Sequence, residues 1–135
     1  HWRTPATQQL SSTTLLLDAL RVLQTLVNGF QQGTVITFPK MSKSLHIGYD
    51  ELEKILEKLA AADMVRKAEG QGWLLMRDAN QIRASELLHL FVLDSKSLAA
   101  DQNDDPLRQW FYTCARQLEK STDLSLQELF VRRPA

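Results

Sequence analysis

Three histidines (His1, His46 and His89) and one cysteine (Cys114) are the side chains of this 135-residue chain with the widest reach in catalysis and metal binding. Hydrolysis of a phosphodiester needs either carboxylates and imidazoles gathered on a metal, or an acid–base pair backed by cations. The sequence contains no His-x-His, no His-Glu-x-x-His and no Asp-x-Asp. His46 falls in a predicted turn and His89 inside an apolar helix, so structural roles are expected of both. One thiolate makes no intrachain disulfide and holds no iron–sulfur cluster, and Cys114 is expected to be a small buried hydrophobe. Gly70-Gln71-Gly72 lacks the Gly-x-x-x-x-Gly-Lys spacing of a phosphate loop and reads as a hairpin turn. No catalytic residue, metal ligand or cofactor site is therefore assigned, and no cofactor is expected.

Phosphate contact is the other chemistry to weigh. Lys40, Lys43, Lys54, Lys58, Arg66 and Lys67 are its candidates. Such contacts carry affinity without sequence information. Sixteen Lys and Arg are balanced by sixteen Asp and Glu, so the formal charge is zero. The net basic character of most nucleic-acid binders is missing. Apolar residues make up 44% and charged residues 24%, an ordinary globular composition. At this length roughly 65–70% of the unfolded surface is buried on folding, enough for one core. No apolar run approaches the roughly 20 residues of a membrane span, and no signal peptide opens the chain. It begins His1-Trp2-Arg3 and not Met, which predicts a piece of a longer protein.

The elements that must position these residues follow from periodicity. Leu16, Ala19, Leu20, Leu23, Leu26, Val27 and Phe30 recur at helical spacing after Ser12, a predicted N-cap, and Gly33 stops the helix. Val35-Ile36-Thr37-Phe38 reads as a short strand, and Lys40 to Leu45 as a short helix with Pro39 at its first position. After a turn at His46-Ile47-Gly48, a helix over 49–62 buries Leu52, Ile55, Leu56 and Leu59. It turns Asp50, Glu51, Glu53, Lys54, Glu57 and Lys58 to water. Met64 to Ala68 and Trp73 to Met76 form a predicted hairpin. Arg83 to Leu93 is a helix apolar on most sides, which needs cover on most sides. Asp105 caps a helix opened by Pro106, with Leu107, Trp110, Phe111, Cys114 and Leu118 as its expected buried stripe. Ser125-x-x-Glu128 is a capping box opening a last short helix.

Two helices across a three-residue turn, then a hairpin, is the plan of a winged helix-turn-helix. The expected fold class is α+β and mostly helical, with additional C-terminal helices. The expected organisation is a lead-in over 1–12, the winged domain over 13–97, a linker over 98–105 and a helical extension over 106–135. The second helix would enter a major groove with Tyr49, Asp50, Glu51 and Glu53 foremost, where a DNA reader wants Arg, Lys, Asn or Gln. Nucleic acid is thus a disfavoured partner. Leu87, Leu90, Phe91, Trp110 and Phe111 are the interface candidates, because aromatic and apolar side chains concentrate in such contacts.

Residues 20–93 are similar to the winged-helix domains of the bacterial regulator class that includes iron–sulfur-sensing repressors. A more specific likeness lies in Thr37-Phe38-Pro39-Lys40-Met41, Gly48-Tyr49-Asp50-Glu51-Leu52, Gly72-Trp73-Leu74-Leu75 and Ile82-Arg83-Ala84-Ser85-Glu86-Leu87. These resemble the cytosolic C-terminal extension of the YihY/BrkB inner-membrane family, historically labelled ribonuclease BN and linked to tRNA processing. The likeness runs over about Leu16 to Phe130, and its motifs are packing motifs. It implies a membrane domain preceding His1, a place on the cytoplasmic side of the bacterial inner membrane, and a non-catalytic interaction role. The partner would be another protein, the chain's own membrane domain or a second copy. A free-standing DNA-binding regulator and a tRNA-processing ribonuclease are the alternative readings.

Overall fold

A computed structural model describes residues 11–94 and 105–132. Most of the expected lead-in and all of the expected linker except Asp105 lie outside them. The described elements run α1 (Ser12–Gln31), β1 (Ile36–Thr37), α2 (Phe38–Leu45), α3 (Tyr49–Ala61), β2 (Val65–Lys67), β3 (Gly72–Leu75), α4 (Ala84–Phe91), α5 (Pro106–Ser121) and α6 (Leu126–Phe130). The fold is the α+β winged helix-turn-helix that the sequence predicts, with helices added at the C-terminal end.

Local chemistry sets the boundaries. Ser11, not Ser12, caps α1: its backbone is extended and its hydroxyl accepts the Thr14 N–H at 3.0 Å. The predicted strand shortens at Phe38, because the Thr37 hydroxyl caps α2 and accepts from Lys40 N at 3.4 Å. Strand β3 is central, in the order β1-β3-β2, antiparallel to both neighbours, with Ile36 opposite Trp73 and Val65 opposite Leu75. The capping box of α6 is present: Glu128 N–H donates to Ser125 Oγ at 3.0 Å and Ser125 N–H to the Glu128 carboxylate at 2.9 Å. The bond from the Ser125 N–H, with the Ser125 hydroxyl beside it, holds the Glu128 carboxyl below the usual carboxylate range.

Helix α1 runs through the core and buries Ala19, Val22, Leu23, Leu26 and Val27 against α3, α4 and the sheet. Its predicted stripe ends a turn early, since Phe30 is exposed. At that end Gly29 admits β1: a Cβ there would stand 2.9 Å from both Ile36 Cγ1 and the Thr34 carbonyl oxygen. Alanine ordinarily stabilises a helix interior by about 1 kcal/mol over glycine. Here Gly29→Ala is expected to destabilise by about 1–3 kcal/mol, the range for overpacking, because backbone and a core side chain must both give way. Urea unfolding checks the sign; a stabilised variant would show that β1 yields freely.

Leu52, Ile55, Leu56 and Leu59 of α3 are fully buried, as their spacing predicts. Leu126 of α6 joins the same core at 0% exposure. Backbone bonds secure it there: Leu126 N–H donates to Ile82 O and Ala84 N–H to Leu124 O, each at 2.8 Å.

Candidate functional site

The turn that sets α3 against α2 is fastened from within. Ile47 N–H donates to Ser42 O at 3.1 Å, and the Ser42 hydroxyl returns to Ile47 O at 2.5 Å. His46, at φ 57°, takes the left-handed conformation that reverses the chain. Phe38 and Tyr49 meet edge to face with ring centres 4.9 Å apart. These contacts leave Asp50 and Glu53 exposed at the start of α3, where the fold would offer its reading surface.

Glu51 departs from expectation. It is half-buried. One carboxylate oxygen is buried without a hydrogen-bond donor, and the group packs toward Asp18 of α1. Burial, with the Asp18 carboxyl beside it, pushes the Glu51 pKa up to about 7. Two carboxyl groups in contact retain one proton between them more readily than two isolated ones. Asp18 carries a legible signal: it lies four residues before the buried Val22, on the apolar side of α1.

The phosphate-contact candidates lie on three elements. Lys40 and Lys43 are exposed on α2, Lys54 on α3, and Arg66 and Lys67 on β2. Lys58 instead donates to Leu90 O at 3.3 Å and lies 5.6 Å from the Phe91 ring centre, tying α3 to α4. Between α3 and the wing lies a cleft of about 330 Å³, bounded by Phe38, Glu53, Leu56, Glu57, Lys67 and Trp73.

The interface candidates divide. Leu87 and Phe91 are buried in the chain's own core, so that face of α4 is already covered, and Leu90 is half-buried. The α5 stripe is the larger correction. Expected to be buried, it is exposed: Leu107 76%, Trp110 65%, Phe111 45% and Leu118 42%, with Cys114 exposed beside them. The face of α5 that meets the body is that of Ala115 and Glu119, roughly a quarter turn away at 100° per residue. Ala115 packs with Leu88 and Leu93, and Glu119 accepts a 2.6 Å hydrogen bond from His89 Nε2. His89 is thus a pairing residue between α4 and α5. In the first turn of α4, Arg77 holds Glu86 through two nitrogens at 3.0 and 3.5 Å. Burial alone would raise the Glu86 carboxyl. The Arg83 N–H, Arg77 and the two guanidinium charges outweigh it and hold the carboxyl below its usual range. Among the described residues no three His, Cys, Asp or Glu side chains converge in a metal-binding arrangement, and no helix is long and apolar enough to cross a membrane.

No protein-family profile matches the chain. It is 34% identical over 105 residues to a UPF0761 membrane protein of Chromobacterium violaceum, a match covering 78% of this chain and 25% of the relative. It is 30% identical over 114 residues to a UPF0761 membrane protein of Nitrosospira multiformis, covering 84% and 27%. The chain thus spans about a quarter of the length of these relatives. Among solved structures, it resembles CymR of Staphylococcus aureus (TM-score 0.68, 17% identity, 90% of this chain and 99% of that one). It also resembles the global cysteine regulator CymR of Bacillus subtilis (TM-score 0.70, 14% identity, 95% and 100%) and IscR of T. potens (0.69, 15%, 94% and 89%). At these identities the likeness establishes the winged-helix fold alone.

Proposed function

We propose that this chain is a non-catalytic winged-helix interaction domain of a UPF0761-type membrane protein, set on the cytoplasmic side of the membrane. It works by helix-to-helix docking on α5, in the first instance with a second copy of itself. The observation that carries this reading is the uncovered stripe of α5. Leu107, Phe111, Cys114 and Leu118 follow one another at spacings of four, three and four. That spacing is the seam of a short coiled coil, whose natural cover is another helix. Contiguous exposed apolar surface of this kind marks interaction sites. The similarity to membrane proteins supports the wider setting.

Sedimentation equilibrium of the 135-residue chain tests it. A concentration-dependent dimer is expected, and Phe111→Asp with Leu118→Asp is expected to weaken it at least roughly 30-fold, the effect of losing a central apolar anchor. Both side chains are exposed, so the thermal melt of the monomer should hardly move. A wild-type chain that stays monomeric at every concentration, or a double variant that associates as well as wild type, overturns the reading.

A second reading, a DNA-binding regulator gripping phosphates with Lys40, Lys43, Arg66 and Lys67, is favoured by the regulators that share the fold. It requires tight duplex binding whose salt slope falls by about 2 in Lys40→Glu with Lys43→Glu. The acids that open α3 weigh against it. The ribonuclease and tRNA-processing label has no metal-ligating cluster among the described residues to rest on.

A further inference from the structure

We propose that the cleft between α3 and the wing binds a Lys- and Arg-rich peptide segment, of the kind that forms the cytoplasmic loops of membrane proteins. Its floor is apolar: Leu56 is buried, while Phe38 and Trp73 keep part of their surface open. Glu53 and Glu57 stand one turn apart on its α3 wall, both exposed. Among the described residues neither carboxylate has an ion pair or hydrogen bond. Lys67 and Gln71 form the opposite, polar rim.

In a winged-helix domain that reads DNA, this surface would meet phosphates. Here it meets them with two carboxylates at mid-helix, and Asp50 stands exposed one turn before Glu53 and Lys54. A polyanion is repelled at the place where the fold brings it closest. A cationic guest fits the same walls. Long Lys and Arg side chains lay apolar stems along a hydrophobic floor and carry their charged heads outward, here to Glu53 and Glu57. An Arg or Lys over the open face of Trp73 adds a cation–π contact. Complementary charge of this kind sets both partner choice and encounter rate. The guest's source follows from the reading above, since cytoplasmic loops of membrane proteins carry an excess of Lys and Arg. The chemistry of the cleft stands without that reading.

The test uses the 135-residue chain and a fluorescein-labelled twelve-residue peptide of Lys, Arg and Leu, read by anisotropy at physiological salt. Saturable binding is expected, accompanied by a change in tryptophan fluorescence that Trp73→Phe removes. Glu53→Gln with Glu57→Gln is expected to weaken binding by roughly tenfold or more, about 1.4 kcal/mol, whereas Lys67→Gln leaves it unchanged or tighter. Equal binding by the double glutamine variant overturns the proposal. So does tighter binding of a twelve-base-pair duplex, or of tRNA, than of the peptide. The Phe111→Asp, Leu118→Asp chain, run in parallel, separates the two ideas. If α5 docking is wrong, the cleft still takes the peptide; if the cleft is wrong, self-association persists while anisotropy stays flat.

Discussion

Leu126→Ala lowers the unfolding free energy by about 2–5 kcal/mol, the usual cost of deleting a fully buried leucine side chain, and the loss is felt by the whole fold. Leu126 is 0% exposed and packs in the main core with residues of α1, α3 and α4. Its backbone and that of Leu124 bond to Ile82 and Ala84 at the entrance to α4. Arg83 adds a clasp from outside, with its guanidinium 2.7 Å from Asp123 O and 3.0 Å from the Asp123 carboxylate. The α6 helix therefore closes the winged domain from below. Urea denaturation followed by both far-ultraviolet circular dichroism and tryptophan fluorescence is expected to give one shared, shifted transition. Two separated transitions, with only the second weakened, would mean that the C-terminal helices fold as an independent layer.

Glu51→Gln is expected to stabilise the protein in neutral and alkaline solution and to do little in acid. The folded-state pKa of Glu51 is about 7 against an ordinary 4.5, because the group is buried beside Asp18. A raised carboxyl pKa means that the folded state holds the proton more tightly than the unfolded chain. The penalty for ionising Glu51 is absent below about pH 4.5. It grows as the pH rises and is complete above about pH 7. Linkage puts its upper bound near 3 kcal/mol. Wild-type stability should thus decline between about pH 4.5 and 7 and then level off, while the glutamine variant stays nearly level and gains about 2–3 kcal/mol at pH 8. Paired urea melts at pH 4.5 and 8 decide it: the same difference at both would show that the Asp18–Glu51 contact holds no shared proton. Glu86 works in the other direction, since its lowered carboxyl contributes stability that is lost as the pH falls through its folded pKa.

Much of this architecture was legible in the residues. The α3 stripe, the turn at His46-Ile47-Gly48, the Asp105 cap and the Ser125–Glu128 box are all local, decided by neighbours three or four places away. What the sequence hid depends on distant partners. Periodicity reveals that Leu107, Phe111 and Leu118 share a face, but not whether anything covers it. The body takes α5 by its Ala115 and Glu119 side instead. In the same way Glu51, one acid among several at the start of α3, reads as water-facing until α1 brings Asp18 against it. The candidate cleft was hidden for the same reason, since Glu53, Phe38 and Trp73 come from three elements that only the completed fold assembles.

The sheet leaves this chain little capacity to recruit a neighbour edge to edge. Its outer strands are only two and three residues long, and the β2 edge carries Arg66 and Lys67. Short, charged margins of this kind resist backbone pairing between molecules. Crowding many copies on a lipid surface would therefore order them through their helices and would not nucleate fibrous stacking.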